Sequence, residues 1–215
     1  MHIYITGRHL TPPGPGEDRL IEIGRHWVSL GHKVTVFLPA DEMDFSLQEK
    51  KIGLTEIDGL VMVAFNTPGS GEEGKRARRK GDRIFSRLLD SQGTLLPDPN
   101  LVLAVAPPLS TAVAAAELSS TLKVPLVLEL REGFNEEAAG RGYLAGLFAR
   151  SQIRKEENLL AAASFIIVEG KAAAERIAGQ LPENEKNKVK VIEGHESKEE
   201  PVSYTHLTLP TKRIV

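Results

Sequence analysis

The chain has 215 residues and no cysteine, and its 27 basic and 29 acidic side chains give a formal net charge of −2. Apolar residues make up 41% and charged residues 26%, which excludes disorder for most of the chain. The absent cysteines exclude a disulfide scaffold, and the near-neutral charge argues against a dedicated nucleic-acid binder. No apolar run is long enough to span a bilayer and no signal peptide is recognisable, so we expect a cytoplasmic protein.

Short apolar runs alternate with amphipathic segments, which predicts strands alternating with helices. Strands are predicted at 3–6, 33–38, 60–65, 101–106, 125–130, 164–168 and 188–192. Helices are predicted at 17–30, 72–89, 110–122, 143–163 and 171–180, with weak helix or loop at 41–51. Ser110 or Thr111 is expected to cap the third helix. Nearly continuous apolar strands joined by helices predict a three-layer α/β/α domain, with a doubly wound, Rossmann-like parallel sheet.

Residues 201–215 continue no pattern of the preceding chain. The stretch VSYTHL at 202–207 can be back-translated into DNA that resembles a transposase-end adapter used in library preparation. We therefore expect one domain at 1–200, a non-native tail at 201–215, and a natural protein that continues into a further domain. A short native C-terminal strand is the alternative for the tail.

In doubly wound sheets, ligands bind beyond the carboxyl ends of the strands. The candidate loops are 6–16, 39–41, 66–69, 107–110, 131–135 and 169–171. The first loop places Gly14 and Gly16 before a helix, where backbone amides can bind a phosphate. Pro15 cannot donate, and Arg19 stands where a dinucleotide fingerprint has its third glycine, so NAD or FAD is disfavoured. A proline-stiffened turn without a ligand fits the same pattern.

Five further residues at these strand ends are candidates for chemistry or binding. His9 lies in the first loop, and Pro108 and Ser110 follow the strand at 101–106. The histidines show no metal-type spacing, so no metal site is predicted. Arg131 can bind a phosphate or carboxylate, and the neighbouring Glu132 can act as a general base or bind a sugar hydroxyl. An ion pair within the domain is the alternative for Arg131 and Glu132.

The predicted helix at 72–89 is strongly basic. It carries Lys75, Arg76, Arg78, Arg79, Lys80, Arg83 and Arg87, with an apolar side of Ile84, Phe85, Leu88 and Leu89. Basic amphipathic helices bind anionic membranes, so Arg76, Arg78 and Arg79 are candidates for peripheral contact with the inner membrane face. A solvated helix face is the alternative.

Three segments resemble the N-terminal domain of GT-B glycosyltransferases of the family-4 group. TPPGPGEDRLIEIGRHWVSLGHKVTVFLP at 11–39 is similar to the family's Pro/Gly loop, helix and G-H-x-V-x-V strand. VLAVAPPLSTAVAAAELSSTLKVPLVLELREGFNE at 102–136 is similar to its strand ending in Arg-Asp. RKEENLLAAASFIIVEGKAAAERI at 154–177 and KVKVIEG at 188–194 are similar to its later strands. The sequence differs from the family pattern at Glu132, Ser164 and Glu193, where the family has Asp, Asp and Asn.

The resemblance implies a retaining enzyme that transfers a hexosyl or N-acetylhexosaminyl group from a nucleotide-sugar, with no cofactor and no required metal. The acceptor would be a glycan or a lipid-linked precursor in envelope polysaccharide synthesis. Gly14 and Gly16 would face the donor diphosphate, while Arg131 and Glu132 would approach the acceptor or the reacting sugar. The donor-binding domain is missing from this chain, so we expect the fragment alone to be inactive. The alternatives are a non-catalytic α/β ligand-binding module and a nucleotide-sugar epimerase of GT-B architecture.

Overall fold

A computed structural model describes residues 1–14, 16–40, 51–67, 75–132, 134 and 145–192, without the side chains of 75, 78 and 145–149. The segment 41–50, the connector at 68–74 and the tail at 201–215 lie outside these ranges, so their interpretation stays a prediction. The described strands are β1 (His2–Thr6), β2 (Lys33–Pro39), β3 (Ile52–Ile57), β4 (Leu60–Phe65), β5 (Leu101–Ala106), β6 (Leu126–Leu130), β7 (Phe165–Glu169) and β8 (Val189–Ile192). The described α-helices are α1 (Arg19–Ser29), α2 (Lys75–Gly93), α3 (Leu109–Leu122), α4 (Ala145–Ala162) and α5 (Lys171–Ala178), and a 3₁₀ turn at Glu183–Lys188 precedes β8.

The strands form one sheet in the order β3-β4-β2-β1-β5-β6-β7-β8. Each neighbouring pair from β4 to β8 is parallel. The predicted α/β, Rossmann-like class is therefore confirmed.

One edge of the sheet carries a strand that was not predicted, β3, which pairs antiparallel with β4. Asp58 and Gly59 join the two strands with φ of 53° and 78°, the left-handed backbone that a two-residue hairpin turn requires. The sequence shows an Asp-Gly turn at this point. The strand before it escaped prediction because an exposed edge strand carries no continuous apolar run; Leu54, for example, points into solvent.

Two helices differ in how their N-termini are capped. Asp18 caps α1, with its carboxylate accepting a hydrogen bond from the Leu20 amide at 2.9 Å. The expected cap at Ser110 or Thr111 is wrong, because α3 begins at Leu109 with Pro108 as its N-cap and no side-chain hydrogen bond there. Pro108 already has the extended backbone of a cap residue, so the helix starts immediately after it.

The two faces of the sheet carry separate apolar clusters. Helices α2 to α5 pack on one face, where Phe85, Leu118 and Leu159 are buried with Phe37. Helix α1 packs on the other face, over Ile5, Val36 and Leu103. Among the described helices, α1 alone lies on its face, and it packs against β2 and β4. On that side Phe165 in β7 remains 50% exposed.

Candidate functional site

The strand order reverses at β1 and β5, and the carboxyl ends of these strands form the candidate edge. The chain runs outward from β1 through β2 to β4, then returns to β5 beside β1 and continues outward to β8. The connections that leave β1 and β5 lead to helices on opposite faces, α1 and α3. A reversal of strand order of this kind is where doubly wound sheets bind ligands. The structure thus brings the predicted residues of the first loop and of 107–110 to one edge.

The first loop is a closed turn. The Asp18 amide donates to the Thr11 carbonyl at 3.1 Å, and the Glu17 amide donates to the Gly14 carbonyl at 3.1 Å. Gly14 and Gly16 have φ of 145° and 74°, a backbone conformation that residues with a side chain rarely adopt. Both glycines are exposed, and a Cβ at either position would meet open space. The glycines therefore serve the turn, and the space beside them is open to a ligand.

Arg131 ties the end of β6 to the start of α1. Its Nη1 and Nη2 donate to the two carboxylate oxygens of Asp18 at 2.6 and 2.8 Å, and its Nε donates to Glu129 Oε1 at 2.8 Å. The hydrogen bonds that Arg131 donates to Asp18, and then to Glu129, raise the pKa of its guanidinium above the ordinary value. The ion-pair alternative is thus what the structure shows for Arg131, with Asp18 and Glu129 as partners rather than Glu132.

A second arginine completes this cluster. Arg19, the first residue of α1, lies 3.2 Å from Glu129 Oε1, and its side chain is 44% exposed against 32% for Arg131. A cavity of about 20 Å³ beside Glu129 and Arg131 extends towards Glu169 and Ile192. A space of this size holds about one water molecule, so a sugar at this edge would have to lie outside the cavity.

The other predicted residues lie around this cluster. Glu132 is exposed and forms no ion pair with a residue that the structure describes, and His9 is exposed in the first loop. Pro108 is buried, and the peptide bonds before Pro107 and Pro108 are cis. Ser110 is exposed in the first turn of α3, where its carbonyl accepts a hydrogen bond from Ser86 Oγ at 3.1 Å.

Arg8 is a residue of this edge that was not predicted. Its side chain is only 1% exposed, its Nε donates to Asp82 Oδ1 at 2.9 Å, and its Nη1 donates to the Thr67 hydroxyl. These bonds hold the first loop against α2 and the end of β4. The sequence contains a signal for this ion pair. Asp82 is the one acid between Lys75 and Arg87, and Arg8 lies two residues past a predicted buried strand, where it can pair with an acid.

The basic helix turns its charges outward. Arg76 and Arg79 are exposed, whereas the side chain of Arg78 lies outside the described residues. The expected apolar side is not available to a membrane, because Phe85 and Leu89 are buried in the core of the domain. Insertion of this face into lipid is therefore excluded for the folded domain.

Within the described ranges, no group of three or more histidine, aspartate or glutamate side chains could hold a metal ion. None of the helices described has both the length and the apolar character that crossing a bilayer demands.

No protein-family model matches the sequence, and no curated protein matches it. Several solved structures are similar to the chain. Sucrose-phosphate synthase from Thermosynechococcus elongatus matches 89% of this chain with 47% of its own, at a TM-score of 0.58 and 11% identity. Arabidopsis thaliana UGT89C1 matches 89% with 49% of its own, at 0.53 and 12%. Anabaena HepE, solved with UDP and glucose, matches 90% with 44% of its own, at 0.53 and 19%.

These likenesses show the fold: the chain has the Rossmann-like architecture found in GT-B glycosyltransferases. The chain spans about half the length of each matched structure.

Proposed function

We propose that the chain is the acceptor-side domain of a retaining, nucleotide-sugar-dependent glycosyltransferase of the family-4 type. The transferred group would be a hexosyl or N-acetylhexosaminyl residue, and the acceptor a glycan or lipid-linked precursor of an envelope polysaccharide. The observation that carries the proposal is the reversal of strand order that brings the first loop and 107–110 to one edge, in a chain that matches glycosyltransferases over nine-tenths of its length.

In the proposed reaction, the bond between the anomeric carbon of the sugar and the diphosphate oxygen breaks. A bond from that carbon to an acceptor oxygen forms on the same face of the sugar, and the acceptor hydroxyl passes its proton to the leaving diphosphate oxygen. The hydrogen-bond donors and positive charges that stabilise the leaving diphosphate would come chiefly from a second domain, because most charged side chains at the described edge already form ion pairs. This chain alone should therefore be inactive.

Each residue at the edge has a role in this proposal. Glu132, exposed and without a described ion-pair partner, would accept a hydrogen bond from the acceptor or the transferred sugar. Arg131 would act as a positioning residue, because it holds Asp18 at the end of the loop that carries Gly14 and Gly16. The exposed backbone of that loop, with His9 and Ser110 beside it, would face the donor and the acceptor.

The test uses a two-domain protein, in which this chain is followed by the donor-binding domain that the proposal requires. Release of nucleoside diphosphate from UDP-sugars is measured with and without candidate acceptors. Glu132→Gln should lower kcat/KM at least about tenfold, whereas the matched control Glu22→Gln, an exposed carboxylate on α1, should leave it unchanged. A two-domain protein that turns over no nucleotide-sugar would contradict the proposal and favour a non-catalytic binding module.

A further inference from the structure

Arg19, the first residue of α1, places its guanidinium at the carboxyl end of β6. Its Nη2 lies 3.2 Å from Glu129 Oε1, and its side chain lines the small cavity there together with Arg131 and Glu169. These three neighbours belong to the ends of β6 and β7 or directly follow them. The guanidinium of Arg19 therefore lies at the edge of the sheet where doubly wound domains bind ligands.

The contact with Glu129 leaves most of the Arg19 guanidinium available. Glu129 Oε1 accepts a hydrogen bond from Arg131 at 2.8 Å, whereas its contact with Arg19 is an ion pair without a hydrogen bond. Arg19 donates no hydrogen bond to any residue that the structure describes. Its side chain is 44% exposed, so water screens the attraction between Arg19 and Glu129. The N–H groups of Arg19 are therefore open to a ligand.

Folding gains little from a positive charge at position 19. The helix dipole disfavours a cation at the first residue of a helix. The neighbouring carboxylates have hydrogen-bond donors without Arg19, because Asp18 accepts two hydrogen bonds from Arg131 and Glu129 accepts one. A charge that adds little to stability, at the edge where ligands bind, is typical of a functional residue.

We propose that Arg19 binds a phosphate group of a substrate. A guanidinium has a planar set of N–H donors that can bind two phosphate oxygens at once. Glu169 also lines the cavity and repels an anion there, so the phosphate binds Arg19 outside the cavity. The loop directly before α1 leaves space for this ligand, because a Cβ at Gly14 or Gly16 would meet open space.

Two substrates can supply the phosphate. It belongs either to the diphosphate of the nucleotide-sugar donor or to a phosphorylated acceptor, because both present the same oxygens to a guanidinium. This inference rests on the proposed glycosyl transfer. It adds that the present domain itself supplies a positive charge for a substrate phosphate.

The first experiment titrates inorganic pyrophosphate into the 215-residue chain at low salt. We expect a Kd of about 1 mM, and Arg19→Gln should weaken binding by about tenfold or more. Arg19→Lys should restore only part of the affinity, because an ammonium binds phosphate as a point charge. The control Arg154→Gln removes the same charge at an exposed position on α4 and should bind like the parent chain. Arg19→Gln should also melt within about 2 °C of the parent, which a structural role would not allow.

The second experiment measures KM values in the two-domain protein. If the donor supplies the phosphate, Arg19→Gln should raise KM for the nucleotide-sugar by about tenfold. If the acceptor supplies it, the same variant should raise KM for a phosphorylated acceptor and leave KM for its unphosphorylated analogue unchanged. Either result supports the assignment of Arg19 and identifies the source of the phosphate.

Three results would overturn the assignment of Arg19. The first is no pyrophosphate binding by the parent chain up to about 10 mM. The second is an equal loss of binding in Arg19→Gln and Arg154→Gln, or in neither. The third is a two-domain Arg19→Gln variant whose KM values for both substrates are unchanged. A two-domain protein that transfers no sugar, but whose pyrophosphate binding depends on Arg19, would contradict the proposed glycosyl transfer and support the phosphate site.

Discussion

Asp18 combines two roles in one side chain. Its Oδ1 accepts a hydrogen bond from the Leu20 amide, and both of its carboxylate oxygens accept from Arg131. Asn keeps the capping oxygen Oδ1 but loses the charge and the second acceptor oxygen, so Arg131 loses one of its three hydrogen bonds. Asp18→Asn should therefore lower the free energy of unfolding by about 1–2 kcal/mol. Asp18→Ala also removes the cap and should lose about 1 kcal/mol more.

Urea denaturation of both variants measures this difference. Glu22→Gln serves as the control, because Glu22 is an exposed carboxylate in the first turn of α1 with no ion pair among the described residues. It should change stability by less than about 0.5 kcal/mol. An Asp18→Asn variant as stable as the parent chain would show that the pairing with Arg131 adds nothing to folding.

Tyr4 gives the fold a dependence on alkaline pH. Its hydroxyl is buried and donates to the Pro97 carbonyl at 2.9 Å, and burial raises the pKa of Tyr4 from 10.0 to about 12. The protonated form is thus favoured in the folded chain. Its contribution to stability is fully present below pH 10 and is lost as the pH rises towards 12, by about 2–3 kcal/mol for a shift of two units.

The measurement compares the parent chain with Tyr4→Phe in urea at pH 9 and near pH 12. Tyr4→Phe should be about 1 kcal/mol less stable at pH 9, because the Pro97 carbonyl loses its donor. Near pH 12 the order should reverse, since Phe has no proton to lose. An equal loss of stability in the two proteins between pH 9 and pH 12 would mean that folding does not raise the pKa of Tyr4.

The turn between β3 and β4 allows the energetic cost of an unfavourable backbone conformation to be separated from the cost of a steric clash. Gly59 has φ of +78°, and a Cβ there would lie 2.6 Å from Val28 Cγ1. Gly31 has nearly the same backbone, φ +83°, with nothing within 4 Å. Gly31→Ala should therefore cost about 1 kcal/mol of stability for the backbone alone, and Gly59→Ala about 2–3 kcal/mol because of the added clash.

A double-mutant cycle separates the two contributions. In a Val28→Ala background the clash is relieved, so Gly59→Ala should cost no more than Gly31→Ala, as followed by thermal melting. If Gly59→Ala costs the same with and without Val28, the clash is absorbed elsewhere in the hairpin.

The elements show why some of the structure follows from the sequence and some does not. The buried parallel strands were predicted because each is a short apolar run, as in LVMVAF of β4 and LVLAVA of β5. β3 was missed because one of its sides faces solvent. The candidate loops could also be predicted, because the carboxyl ends of parallel strands always lie at one edge of the sheet. The Asp18–Arg131 pair joins residues 113 positions apart, and a charge at each position does not indicate which opposite charge it meets.

The two faces of the sheet differ in how fully the described helices cover them. Helices α2 to α5 cover one face, and Phe85 of α2 is 0% exposed there, while Phe165 of β7, on the α1 side, is 50% exposed. This difference predicts unequal responses to the same kind of change. Phe85→Ala should lower the free energy of unfolding by about 3–5 kcal/mol, because it leaves a cavity in a packed core.

Phe165→Ala should cost less than about 1.5 kcal/mol, because water already reaches half of the ring in the folded chain. It should also reduce the binding of an apolar fluorescent dye, since exposed aromatic surface is what such dyes occupy. Urea denaturation and dye titration of the two variants test both expectations. A loss at Phe165 as large as that at Phe85 would mean that this face is covered in solution, and therefore that the sheet is packed on both sides across its full width.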